Sequence, residues 1–264
     1  MESLTGDVRR AYDNLANDPK YRHFVRIPER ILRCLDYFGV ACKREETSDL
    51  LLSYYLFIGV VDSAIDSGHV EAGERILTQL SSRSHFPDAE IDSVKLATSV
   101  LKSQISDDSY LLMMSGFQEL YREVVRERQS KSIDAYIVSR KAVGRLTAEL
   151  SYLLIRPSLA IDYECLCQFM KQVGEVGCLV DSLIDLNADR RLGLLMFKAS
   201  RTDRLKLVAA TVQRGLSVLL KHPGLSGLFL QAVCDNLRDR FSPSCRPDAH
   251  YTASDRKGAA AGVA

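Results

Sequence analysis

The stretch YYLFIGVVDSAIDSG, residues 54–68, is uncharged until it reaches Asp62 and then Asp66, four residues on. The same step recurs in VGEVGCLVDSLIDLNADRRLG, residues 173–193, where Asp181, Asp185 and Asp189 stand among Leu179, Val180, Leu183, Ile184 and Leu186. On a helix, residues four apart share a face and rise about 6 Å per step, so each stretch lines its carboxylates along one side. Like charges at this spacing repel by a few tenths of a kcal/mol, and a carboxylate near a helix C-terminus also opposes the helix dipole. Both terms have the wrong sign for residues that serve only the helix. A solvated face would intersperse Lys or Glu, whereas the polar neighbours within the second stretch are Ser182 and Asn187, with Arg190 and Arg191 only at its end. Facing carboxylates of this kind suit Mg²⁺, a hard cation held by one or two carboxylates together with substrate phosphate. Such ions neutralise a leaving diphosphate as Lewis acids. Asp62, Asp66, Asp181, Asp185 and Asp189 are therefore candidate metal ligands, and Asp62, Asp66, Asp181 and Asp185 candidate catalytic residues. Solvent-facing carboxylates at a helix end, or an internally satisfied ion network, are the competing readings of the same residues.

Helices must position these groups, because the apolar periodicity is helical almost throughout. IPERILRCLDYFGVACK, SDLLLSYYLFIGVVDSAID, VEAGERILTQLSS, DAEIDSVKLATSVLKSQ, DSYLLMMSGFQELYREVVRER, SIDAYIVSRKAVGRLTAELSYLLI, YECLCQFMKQVGEVGCLVDSLIDLNADRR, DRLKLVAATVQRGLSVLLKH and LSGLFLQAVCDNLRDRF all place apolar residues three and four apart. Strand alternation and Asn-Gly or Asp-Gly hairpin turns are missing. Helix starts are predicted at Ser48, at Asp108 or Ser109, and at Ser132, with breaks at Ser67–Gly68, His85–Pro87, Pro157 and Pro223–Gly224. The expectation is an all-α protein, one bundle of about ten helices over residues 1–241, followed by a polar, small-residue tail at 242–264 that reads as flexible.

Composition narrows the functional classes. Thirty-five Lys and Arg against thirty-four Asp and Glu leave a net charge of +1, which gives no electrostatic case for nucleic acid or an anionic membrane. The seven cysteines are odd in number and lack paired CxxC spacing, so they read as reduced thiols of a cytoplasmic protein. Cys165 and Cys167 form a lone CxC without the further ligands of a structural metal site. The start has no signal-peptide core, and no uncharged run approaches the ~18 residues of a transmembrane segment.

The two carboxylate stretches carry a resemblance to known proteins. VDSAIDSG resembles the DxxxD motif of squalene and phytoene synthases, with Asp62, Asp66 and Gly68 matching; DLNADRRLG is similar to their DxxxDxRxG at Asp185, Asp189, Arg191 and Gly193. AYIVSRKAVGRL, residues 135–146, is similar to the YxxxRR pattern of bacterial terpene synthases at Tyr136, Arg140 and Lys141. The resemblance implies the isoprenoid synthase fold, helices around a central cavity, and Mg²⁺-dependent ionisation of an allylic prenyl diphosphate. Arg140, with Lys141 and Arg191, is implied to bind the diphosphate; Arg145, further along, faces elsewhere. Tyr54, Tyr55, Phe57, Phe117 and Tyr152 are candidates for a cation-stabilising lining as well as for core packing. Arginines that condensing synthases carry beside these motifs are replaced here by Gly59, Val60 and Ile184. The expectation is therefore a terpene synthase rather than a squalene- or phytoene-like enzyme that joins two prenyl diphosphates, which stands as the alternative. A non-catalytic helical binding protein is the reading from another class. Dimers are common among the proteins this chain resembles, which makes a homodimer an expectation by analogy.

Overall fold

The computed structural model describes residues 6–66, 92–105, 107–192 and 195–241; the side chains at 66, 107, 108, 110, 114, 187–192, 236, 237 and 239–241 lie outside that description. Among the described residues every regular element is helical, so the chain is all-α. The predicted helix VEAGERILTQLSS, the breaks at Ser67–Gly68 and His85–Pro87, and the tail at 242–264 fall outside the described residues.

The first helices form a cover over the middle of the chain. They are α1 (Gly6–Asn17), a 3₁₀ turn (Pro19–Tyr21), α2 (Arg22–Val25) and α3 (Ile27–Tyr37). The periodicity does not single out α1, which is mostly exposed and buries Tyr12, whose hydroxyl donates to Ser53 Oγ at 3.3 Å. Asp18 caps the 3₁₀ turn by accepting from the Lys20 N–H. Gly39, at φ 65°, ends α3, and the Val40 N–H returns to the Leu35 carbonyl at 2.9 Å, a closure that needs a left-handed residue.

Next comes α4 (Arg44–Asp66), the long helix that carries the first carboxylates. It begins four residues earlier than Ser48, which lies inside it. Glu45 and Glu46 in the first turn complement the dipole, and Thr47 N–H already bonds the Lys43 carbonyl. By length and composition alone, Arg44–Ile65 would be long and apolar enough to cross a bilayer, yet 56% of its most apolar window is buried inside the fold. Leu51, Tyr54, Leu56, Phe57 and Val60 of this helix are 0–2% exposed, packed among α2, α3, α5 (Asp92–Gln104) and α7 (Ile133–Ile155). Between the last two runs α6 (Asp107–Arg128), whose first turn contains Asp108 and Ser109 rather than being capped by one of them.

The bundle is organised around α7 and α8 (Glu164–Leu192), which share the most extensive interface. Ser132 caps α7 as predicted, accepting from the Ala135 N–H at 3.3 Å. Pro157 sits in a 3₁₀ turn, Arg156–Ser158, that closes α7. Where the two helices cross, Gly144 and Gly174 are in backbone contact: a Cβ at either would lie 2.2 Å from the other's carbonyl oxygen. Two facing glycines remove the side chains that otherwise hold helix axes 8–10 Å apart. On the far side of α8 lies α9 (Arg201–Lys221), opened by a capping box between Ser200 and Asp203. A 3₁₀ turn (Pro223–Leu225) and α10 (Ser226–Phe241) complete the described chain.

Burial of ionisable groups in this core has a consequence at high pH. Burial pushes the Tyr12 and Tyr55 hydroxyls and the Cys34 thiol up to about 12, and Tyr54 well above its ordinary range. A raised folded-state value contributes stability that is complete below the unfolded value and is lost as pH climbs through the folded one. The melting temperature is therefore expected to stay level to about pH 9 and to fall steeply from there to about 12. A melting temperature unchanged between pH 8 and pH 11 would contradict the burial of these hydroxyls and thiols.

Candidate active site

The second carboxylate stretch forms the C-terminal half of α8, and its faces divide as the pattern requires. Leu179, Ser182 and Leu186 are buried against α7 and α9 in a cluster with Ile133, Tyr136, Ile137 and Leu207, while Asp181 and Asp185 are half-buried at the flank. From α7, Tyr136 and Arg140 reach the same place. The Ser182 hydroxyl accepts from Tyr136 Oη at 3.2 Å and from Arg140 Nε at 2.8 Å, and donates to the Cys178 carbonyl at 2.9 Å. That is the full capacity of a buried hydroxyl.

Arg140 is the hub of the site. Besides Ser182 it donates from Nη1 to both Glu127 carboxylate oxygens at 3.3 Å, and from Nη2 to Asp181 Oδ2 and the Cys178 carbonyl, each at 3.2 Å. Its side chain and that of Glu127 are each 15% exposed, against 32% for Asp181. Burial on its own would depress the guanidinium. The charge of Glu127, with smaller contributions that include Asp181, outweighs burial and holds Arg140 well above its ordinary value. Asp181, predicted as a metal ligand, is thus an ion-pair partner of Arg140 in this structure.

Cys178 of α8 lies beside Arg140, whose Nη2 donates to its carbonyl. Burial pushes this thiol up to about 12; Arg140 opposes the shift, and the charges of Asp181, Glu127 and Asp62 add to it. Glu127 of α6 and Asp181 of α8 are both bonded to Arg140 of α7. Asp62 itself is exposed, at the last turn of α4. Lys141, next to Arg140, is half-buried. The side chains of Asp66, Asp189 and Arg191 lie outside the described residues. Glu127 escaped the sequence reading because it sits in REVVRERQ, which looks like an ordinary solvated charge run. The one available signal was a carboxylate in the last turn of a helix, where it opposes the dipole.

The aromatic candidates are core residues. Tyr54, Phe57 and Phe117 interlock, with Phe57 and Phe117 ring centroids 5.4 Å apart, and Tyr54 Oη donates to the Thr147 carbonyl at 2.8 Å. Tyr55 Oη donates to Ser151. Tyr152 Oη donates to Asp162 and accepts the Tyr163 N–H, tying down the turn after α7. A polar cleft of about 490 Å³ between α6, α7, α8 and α9 is lined by Arg145, Glu149, Lys171, Glu175 and Arg214 among others, and includes none of the predicted site residues. Arg145 thus does face away from Arg140.

Among the described residues no three His, Cys, Asp or Glu side chains come together to hold one ion. Compared with models of protein families, with curated proteins and with solved structures, the chain matches none.

Proposed function

We propose that the chain is a Mg²⁺-dependent class I isoprenoid synthase of the all-α isoprenoid synthase fold, which ionises one allylic prenyl diphosphate and converts it to a terpene. The observation that carries this reading is the placement of Arg140 of α7 against Asp181 of α8, with Asp185 one turn further along the same half-buried flank. The donor set fits Mg²⁺: the available groups are hard carboxylate oxygens on separate helices, and a cation that takes one or two carboxylates plus phosphate needs no three-residue cluster. Asp62 and Asp66 would hold metal from one helix, and Asp181, Asp185 and Asp189 from the other. When bound, Mg²⁺ supplies Lewis-acid neutralisation of the leaving diphosphate.

In this reading the Arg140 network changes partners. Asp181 is the more exposed of its two carboxylate partners, so it is the one to turn toward a cation. Its departure frees an Nη2 N–H for a phosphate oxygen, while Glu127 and Ser182 keep the guanidinium oriented. Lys141 and Arg191 would add positive charge beside it. The Cys178 thiol stays protonated near neutrality and adds no negative charge next to the diphosphate.

The test is incubation with C10, C15 and C20 prenyl diphosphates, with and without Mg²⁺, reading phosphate release and hexane-extractable products together. A Mg²⁺-dependent product of unchanged carbon number supports the proposal, and a doubled one favours a condensing enzyme. Asp62→Asn and Asp185→Asn should each lower turnover at least ~100-fold, the range of a lost charge-stabilising group, with little change in melting temperature. The saturation of Arg140 favours a second reading, a non-catalytic helical protein in which Arg140 is purely a clamp. Absence of turnover with every chain length, together with no rise in melting temperature on adding Mg²⁺ and diphosphate, would select it.

A further inference from the structure

The polar cleft between α6, α7, α8 and α9 lies apart from the carboxylate site and has no part in the proposed activity. Its volume of about 490 Å³ falls within the ~300–1,000 Å³ of small-molecule pockets, yet Leu146 is the one apolar residue that lines it. Arg145, Lys171 and Arg214 stand there against Glu119, Glu149 and Glu175, so the formal charges of the lining cancel. Four of the six are paired with one another: Lys171 Nζ lies 2.7 Å from Glu149 Oε1, and Arg214 Nε lies 2.6 Å from Glu175 Oε2. Among the described residues neither Arg145 of α7 nor Glu119 of α6 has an ion-pair partner, and both are exposed.

Two less exposed residues of the same lining carry buried polar atoms without a hydrogen bond. Gln172 Oε1 lacks a donor, and the Arg214 Nε–H, close as it is to Glu175, is not directed at that carboxylate and lacks an acceptor. Among the described residues the other buried side-chain atom in this condition is Thr47 Oγ1, on α4. Native structures pair such atoms with protein, ordered water or a ligand, so a donor and an acceptor left over in one cleft ask for an occupant.

We infer that the cleft binds a small zwitterion, a free α-amino acid with a polar side chain. Charge complementarity selects that class. An anion drawn to Arg145 is repelled by Glu119, and a cation meets the reverse, whereas one molecule carrying a carboxylate and an ammonium answers both. The planar guanidinium of Arg145 matches the carboxylate through paired N–H donors, and Glu119 takes the ammonium. A polar side chain then offers a donor to Gln172 Oε1 and an acceptor to Arg214 Nε once those side chains rotate slightly. A prenyl chain finds no apolar wall here, so this ligand is distinct from the one proposed for the carboxylate site.

The experiment is isothermal titration calorimetry on the full-length protein, without Mg²⁺ or prenyl diphosphate. The probes are L-glutamine, L-asparagine, L-serine, L-glutamate and L-arginine, each to about 20 mM, with acetate, methylammonium and inorganic phosphate as singly signed comparators. The same titrations use Arg145→Gln and Glu119→Gln, whose circular dichroism melts establish that these exposed substitutions leave the fold intact. The expected result is saturable binding of at least one amino acid with a Kd of about 1 mM or tighter, weakened at least 10-fold by each substitution, and no binding of acetate or methylammonium. Absence of saturable binding for all five amino acids overturns the inference. So does amino-acid binding that either substitution leaves unchanged, or phosphate binding that needs Arg145 but not Glu119, which would make the cleft an anion site. None of these outcomes depends on catalysis, so the inference and the proposed activity stand or fall separately.

Discussion

Arg140→Met is expected to lower the unfolding free energy by about 3 kcal/mol. Removing one partner of a buried ion pair costs about 3–5 kcal/mol because the other charge stays buried and uncompensated. Glu127, 15% exposed and bonded to Arg140 through both carboxylate oxygens, is the buried charge that loses this partner. Asp181 is half-buried and rehydrates more easily, which places the loss toward the lower end of the range. The Ser182 hydroxyl and the Cys178 carbonyl each lose a donor as well. Urea denaturation at pH 7.5 measures the loss, and Glu127→Gln added to Arg140→Met should recover at least half of it. A single variant within ~1 kcal/mol of the parent at pH 7.5, the net worth of an ordinary hydrogen bond, would mean that Arg140 is not a buried clamp.

Two glycines three residues apart on α8 should respond with opposite signs to the same substitution. At Gly174 a methyl group would lie 2.2 Å from the Gly144 carbonyl oxygen and 2.8 Å from the Ala148 Cβ, and the nearer of these is backbone that cannot swing aside. The helices must separate along the interface that organises the bundle. Overpacking costs about 1–3 kcal/mol, and this geometry belongs at the top of that range. Alanine's helix preference returns about 1 kcal/mol, leaving a net loss near 2. Gly177 is exposed, with nothing within 4 Å of the same methyl position, so Gly177→Ala should raise stability by about 0.5–1 kcal/mol. Thermal melts of the two variants decide it, and equal effects would remove the case for a backbone-tight crossing. Because Cys178 and Asp181 follow Gly174 by one and two turns, Gly174→Ala should also displace the carboxylates from Arg140. In the proposed enzyme it would then lower turnover more than its stability loss accounts for.

Much of the fold was legible because helical periodicity is a local property. The run from Leu51 to Val60, the Ser132 cap and the breaks at Pro157 and Pro223 follow from residue type and spacing. Ser48 lies inside α4 rather than at its start: it is a strong capping residue, but Glu45 and Glu46 set their charge on the helix dipole in an earlier first turn. The aromatic ring of Tyr152 on an apolar face fits a cavity lining and core packing equally, and only its bonds to Asp162 and Tyr163 assign it to a turn.

By itself the sequence determined that the chain is helical and that Asp62, Asp66, Asp181, Asp185 and Asp189 recur at one helical step, since both are consequences of spacing along a single chain. Tertiary structure alone decided that Glu127 pairs with Arg140, that Asp181 is its second carboxylate, and that Gly144 and Gly174 let the two helices meet. These pairings join residues 13, 41 and 30 positions apart in the chain. Which charges neutralise one another across such separations depends on how helices pack, and no local pattern of residue types encodes that.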